Sequence, residues 1–251
     1  DAGDNAPKGA FSQGVYKDTI LVLDAKEDTV RAAYIKSVYD GAVETPDHEF
    51  SWVLNNYKTL YPDATATDIA KAMDEGYNVK IVGDYTLTSN VYLRAGKTLY
   101  VTGNLNDTAS FRVSGEGTLW VGNEYNVASG LITVNTQVMN DVNLSKDSGT
   151  KIHSNLAIEK GNLEIGSYTC DVMAGSDVYV GGDVNGTGGT LNVYGHIEAD
   201  DYNVTTINVY SNTTLIARGN LTATTLTVGD SSNSGRVQVA GTVTARSEER
   251  R

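Results

Sequence analysis

From Tyr77 onward the chain repeats a short triplet, apolar–any–apolar, each copy closely followed by Gly, Asn, Ser or Asp. Examples are Val79-Lys80-Ile81, Leu99-Tyr100-Val101, Leu119-Trp120-Val121, Leu163-Glu164-Ile165, Val178-Tyr179-Val180, Leu191-Asn192-Val193 and Val237-Gln238-Val239. A period of two puts alternate side chains on one face of a strand, so each triplet reads as a short half-buried strand ended by a turn. In LYVTGNL, VYVGGDV, LNVYGHI and VQVAGTV a further apolar residue follows four positions beyond the triplet, which adds a second strand after the turn. The best-matched units are about 20 to 24 residues apart, as from Leu99 to Leu119, Leu191 to Leu215 and Leu215 to Val237. This is the length of one turn of a three-faced β-helix, whereas antiparallel sandwiches have longer strands joined by hairpin dipeptides. The expected fold is all-β with a small α cap: a parallel β-solenoid of roughly 7–9 coils behind a helical region. Between Val127 and Asn162 the pattern does not define the coils.

Proline supports the same fold. None follows Pro62, although turns are frequent. In a solenoid each coil exchanges ladder hydrogen bonds with both neighbours, so a missing N–H costs a bond almost anywhere.

The N-terminal part differs. Residues 1–23 are read as an arm and a strand: DAGDNAPKGAFSQG has little to bury, and VYKDTILVL ends in the continuous apolar run Ile20, Leu21, Val22, Leu23, which suits a strand buried on both faces. Residues 24–76 are expected to form a helical capping region. Asp28 would cap a segment with Val30, Ala33, Tyr34 and Val38, and a second segment would run from Phe50 to Tyr61. The third and clearest, TATDIAKAMDEG, has Thr65 or Thr67 as cap, Ile69, Ala72 and Met73 on one face and Gly76 as terminator. Residues 77–245 would form the solenoid and 246–251 a charged tail.

The junction of helix and first coils resembles the opening of the right-handed parallel β-helix of the pectin lyase-like superfamily. The residues that carry the resemblance are Ile69, Ala72, Met73, Gly76, Val79, Ile81, Gly83, Tyr85, Leu87, Val91, Leu93, Gly96, Thr98, Leu99 and Gly103. The resemblance implies an amphipathic helix over the first coil, followed by strand, turn and strand. It implies no particular activity, because this fold carries lyases, hydrolases, phage spikes, adhesins and inert scaffolds.

Composition narrows the partners. The net charge is −12, and residues 161–245 contain only two basic side chains, Arg218 and Arg236. Such a surface neutralises few phosphates, which argues against nucleic acid and anionic membranes. No apolar stretch approaches a bilayer-spanning length. The single cysteine, Cys170, forms no intramolecular disulfide and reads as a small core residue. A first residue that is not Met, with abundant Gly, Asn, Thr and Tyr and few Lys, leads us to expect an extracellular or cell-surface protein released from a signal peptide.

Residues suited to chemistry are scattered. Asp200 and Asp201, with Asp183 and Glu198 nearby, form the one local carboxylate cluster, but adjacent strand residues point to opposite faces, so a solvated turn is the expectation. His48, His153 and His196 lack metal-ligand spacing, and the sequence points to no cofactor and no metal. GGDVNGTGG at 181–189 lacks the strict nonapeptide repeat of calcium-binding solenoids and reads as a glycine-dependent corner. Acceptor sequons at Asn106, Asn143, Asn185, Asn203, Asn212 and Asn220 permit glycosylation. Thr-rich LTATTLTV reads as strand propensity before any ice-binding array.

The function expected from this pattern is a structural or adhesive surface protein, a self-assembling filament subunit whose head-to-tail partner is another copy of itself. Assembly candidates are Val15, Tyr16, Ile20, Leu21, Val22 and Leu23, which would add a strand to the next subunit. Tyr100, Trp120 and Tyr179, each central in its triplet, are the surface-contact candidates. The alternative is a polysaccharide lyase or hydrolase on the same scaffold, with carbohydrate as partner and those aromatics stacking on sugar rings.

Overall fold

A computed structural model describes the backbone of residues 14–24, 31–35, 52–229 and 235–246. The remaining parts of the expected arm, capping region and tail, with His48, lie outside the described residues. So do the side chains of the assembly candidates Val15, Tyr16, Ile20, Leu21, Val22 and Leu23, whose backbone is described.

The described residues between 57 and 246 wind into a parallel β-solenoid of about nine turns with one short helix. Its first face begins with β3 (Tyr57–Leu60) and β4 (Asn78–Ile81), which pair in parallel from Tyr57 opposite Asn78 to Leu60 opposite Ile81. Strands Thr98–Val101, Thr118–Val121, Asn135–Val138, Leu156–Ile158, Asp177–Val180, His196–Ala199, Thr214–Ala217 and the first half of Arg236–Arg246 follow in order, every pair parallel. A second face stacks Tyr85, Leu105, Tyr125, Val142, Leu163, Val184, Tyr202, Leu221 and Val243. On the third face Thr150–Ile152 and Thr169–Val172 precede Val184–Val193, Tyr202–Val209 and Leu221–Val228, which bend from one face to the next.

Alternation inside each strand builds the core. Val79, Leu99 and Leu119 stack in one column and Ile81, Val101 and Val121 in the next, all with no exposed surface, while Lys80, Tyr100 and Trp120 point outward. Each buried aliphatic side chain contributes roughly 1.5–3 kcal/mol, and the main-chain ladder satisfies the peptide groups buried with it.

The helix α1 (Ala66–Asp74) closes the N-terminal end of this core. Thr65 is its cap: the Thr65 hydroxyl accepts from the Asp68 N–H at 3.2 Å while the Asp68 carboxylate accepts from the Thr65 N–H at 2.9 Å. The Thr65 hydroxyl also donates to the Asp68 carboxylate at 2.7 Å, and this bond, with the one from the Thr65 N–H, holds the Asp68 carboxyl below its ordinary range. Ile69, Ala72 and Met73 are buried against the first coil, as their spacing predicts. Gly76 turns the chain out of the helix at φ +94°, in the left-handed region that favours glycine.

Two helical expectations are corrected. The segment from Val30 to Val38 contains β2 (Arg31–Ile35), and Phe50 to Tyr61 contains β3. Both are short runs in which pairing with a neighbouring strand outweighs a weak helical period. The spacing from Leu191 to Leu215 is not one turn either. Leu191 stands between Cys170 and Ile207 on the third face, and Leu215 between Ile197 and Val237 on the first. A triplet looks the same on every face, so the motif alone does not say which faces two copies occupy. Between Val127 and Asn162 the coils were hidden because Thr136 and Thr150 take core positions, with 2% and 1% of their surface exposed.

Leu119→Ala should lower the unfolding free energy by about 2–5 kcal/mol in a denaturant titration, because neighbouring rungs prevent collapse into the space.

Candidate functional site

The arrangement that calls for a functional explanation lies at the two ends of the solenoid and along the outer side of its first face. Among the described residues the first strand pairs with the last. β1 (Gly14–Asp24) runs antiparallel to Arg236–Arg246, from Gly14 opposite Ala245 to Val22 opposite Arg236, with a shift between Lys17 and Thr19. β2 then runs antiparallel to β1, from Ile20 opposite Ile35 to Asp24 opposite Arg31. The backbone of the assembly candidates therefore lies on the C-terminal end of the solenoid, with Val15 and Tyr16 opposite Thr244 and Val243, and Ile20, Leu21 and Val22 opposite Gln238, Val237 and Arg236. Leu23 pairs with Ala32 of β2.

Along the outside of the first face one column runs Lys80, Tyr100, Trp120, Gln137, Ala157, Tyr179, Glu198, Ile216 and Gln238. The three surface-contact candidates share it without forming a continuous aromatic row. Tyr100 and Trp120 are neighbours at 6.1 Å between ring centroids, but Gln137 and Ala157 separate them from Tyr179. Trp52, which the sequence did not mark, packs on both, at 6.0 Å from Tyr100 and 5.9 Å from Trp120, and its indole N–H donates to Glu159. The strip is thus partly covered by the approach to β3.

Tyr179 belongs to a different cluster. The Arg218 guanidinium lies 4.8 Å from its ring centroid, donates to Asp200 at 2.7 Å and to Glu198 at 3.2 Å, and reaches the carbonyls of Val180 at 2.7 Å and Gly181 at 3.1 Å. Glu198 has no exposed surface, and its Oε2 is buried without a hydrogen-bond partner among the described residues. Burial raises the Glu198 carboxyl above its ordinary value, against the opposing pull of Arg218. Asp201 turns the other way and accepts from the main chain of Asn220. Asp200 and Asp201, expected in a solvated turn, thus have separate partners, Arg218 and the Asn220 main chain.

The remaining polar side chains mostly tie rungs together. On the second face Asn126 donates to Asn106 at 2.8 Å and Asn143 to Asn126 at 2.9 Å. At a neighbouring corner the Asp84, Asp141, Asn162 and Asp183 side chains each accept a main-chain N–H from the following coil. In GGDVNGTGG, a Cβ on Gly181 would collide with the Glu159 carbonyl, which supports the corner reading. Among the described residues no group of three His, Cys, Asp or Glu side chains is placed to hold a metal, and His196 lies 3.9 Å from Asp177. Burial pushes the Cys170 thiol up to about 12, which keeps it protonated and unreactive at neutral pH. Among the described residues no helix is long and apolar enough to cross a membrane.

No protein-family model matches this chain, and comparison with curated proteins and with solved structures gave no match.

Trp52 and Trp120 are the chain's two tryptophans, so emission reports their contact. Trp52→Ala should shift the remaining emission to the red and cost about 1–3 kcal/mol, the loss of two aromatic pairs and their buried area. For Glu198 the raised carboxyl value means that its favourable contribution is complete below the ordinary glutamate value and is lost as pH rises through the folded value. Glu198→Gln should therefore gain thermal stability relative to the parent as pH increases from about 4 to about 7.5, measured by melting in matched buffers.

Proposed function

We propose that this chain is an extracellular structural subunit that assembles head to tail into a filament, with the N-terminal strand of one copy completing the solenoid end of the next. The observation that carries this reading is the pairing of β1 with Arg236–Arg246, at the opposite end of the solenoid from β3. The contact is a main-chain ladder, which depends little on side-chain identity and is equally available to the same strand from a second copy.

Chain length allows either origin. From the Trp120 rung to the last rung is six steps of about 4.8 Å, roughly 29 Å. The connection from Ile35 to Trp52 can extend over roughly 55 Å, so β1 can reach its own C-terminal end or that of an adjoining copy. Exchange of an identical element between copies is a low-cost route to assembly, and when head and tail differ it leads to an open polymer.

The likeness of the opening coils to pectin lyase-like β-helices enters this proposal as architecture only. The extracellular location rests on the acidic, Lys-poor composition, rich in Gly, Asn, Thr and Tyr. An adhesive role would use the same outer faces and needs no different assembly.

Deletion of residues 1–24 should abolish fibres seen by negative-stain electron microscopy while the strand signal in circular dichroism persists. Fibres of normal length from the deleted chain would refute strand addition.

A further inference from the structure

Among the described residues, both ends of the first face finish in a strand with one open edge. Among the described residues β3 pairs only with β4, and β2 pairs only with β1. In β3 the carbonyls of Asn56 and Leu60 accept from Asn78 and Val82, so by the alternation of a parallel ladder the peptide groups of Tyr57 and Thr59 face away from β4. Such an edge is a template for another strand, and proteins normally shorten, charge or cover it.

The directions of the two edges match. β1 runs against the solenoid strands and β2 runs against β1, so β2 regains the direction of β3 and of every coil between them. Both belong to the same face: β1 meets Arg236–Val239 on the first face, and β2 lies on that part of β1. A second copy stacked along the solenoid axis would meet β2 with its own β3, in parallel, as one more rung.

Side chains around β3 distinguish this end from the rest of the surface. The exposed large apolar residues among those described are Val53, Tyr57, Tyr61, Tyr77, Val82 and Tyr92, all in the first coil or the approach to it. Val53 and Tyr61 expose 70% and 63% of their surface. The apolar core below is already closed by α1, so these residues form a collar around an open edge and are not part of an unfinished core.

We infer that β3 and its collar of Val53, Tyr57, Tyr61, Tyr77 and Val82 are the second half of the filament junction, and that they dock the open edge of β2 from the hairpin capping an adjacent copy. The inference rests on the head-to-tail reading above and adds to it the surface that receives the incoming end. The junction continues the first face without a break, as a parallel pair between a four-residue strand and a five-residue strand. It holds whether the β1–β2 hairpin on a given solenoid end belongs to that copy or to the next.

The test uses the full chain with Thr59→Pro, which removes an N–H from the open edge and leaves the bonds to β4 in place. A second variant, Val53→Lys with Tyr61→Lys, charges the collar at two exposed positions without touching the ladder. Both should melt like the parent, lose fibres in electron microscopy and sediment as single copies. In the parent, hydrogen exchange at the Thr59 amide should slow at least tenfold on polymerisation. Parent-like fibres from the charged-collar variant, or no added protection at Thr59, would overturn the inference while leaving strand addition by β1 intact. A parent that stays monomeric at every concentration would overturn both.

Discussion

Hydrogen bonds between successive rungs are the interaction on which this structure depends. Each coil donates to and accepts from the coils on either side, so a strand of two to four residues, unstable alone, is held on both edges. On the first and second faces the interior rungs are paired on both edges, while on the third face the ladder is interrupted between Val113–Gly115 and Leu131–Ile132. On those two faces, among the described residues, open strand edges are left at the ends, where another strand can be added. α1 covers the core at one end and β1 covers the last strand at the other, yet among the described residues β3 and β2 still present one open edge each.

The same ladder explains how the polar side chains are used. Asn106, Asn126 and Asn143 bond along the second face, and Asp84, Asp141, Asn162 and Asp183 bind main-chain N–H groups of following coils. These bonds are repeated because the rungs are in register, and each resists slippage of one coil against the next. Asp200, Asp201 and Glu198 serve the same structure through Arg218 and Asn220. Surface polarity that could suggest a catalytic cleft in the sequence is largely engaged in holding neighbouring coils together.

Inward and outward positions were readable from local pattern. Val79, Leu99, Leu119, Val178 and Val237 lie inward, and Tyr100, Trp120 and Tyr179 outward, as a period of two requires. The amphipathic face of α1 was equally readable, because Ala72 and Met73 fall three and four residues after Ile69, about one helical turn. Where Thr136 and Thr150 replace aliphatic residues in the core the pattern disappeared, although the ladder did not. Leu191 and Leu215 had the right spacing and the wrong faces, because coil length varies while the triplet does not. Trp52 gave no sequence signal, since its partners Tyr100 and Trp120 are distant in the chain.

By itself, then, the sequence determined the kind of rung: short strands, glycine and asparagine corners, a buried aliphatic side, no proline after Pro62, and a helix to close one end. Those properties follow from backbone geometry and burial within about 20 residues. Only the tertiary structure decided which rung meets which, that β1 lies on Arg236–Arg246, that β2 and β3 are strands and that, among the described residues, both leave an edge open on the same face. Strand pairing is a contact between main chains, and main chains are nearly alike at every residue, so the choice of partner is made by the stacking of the whole solenoid and leaves little trace in local sequence.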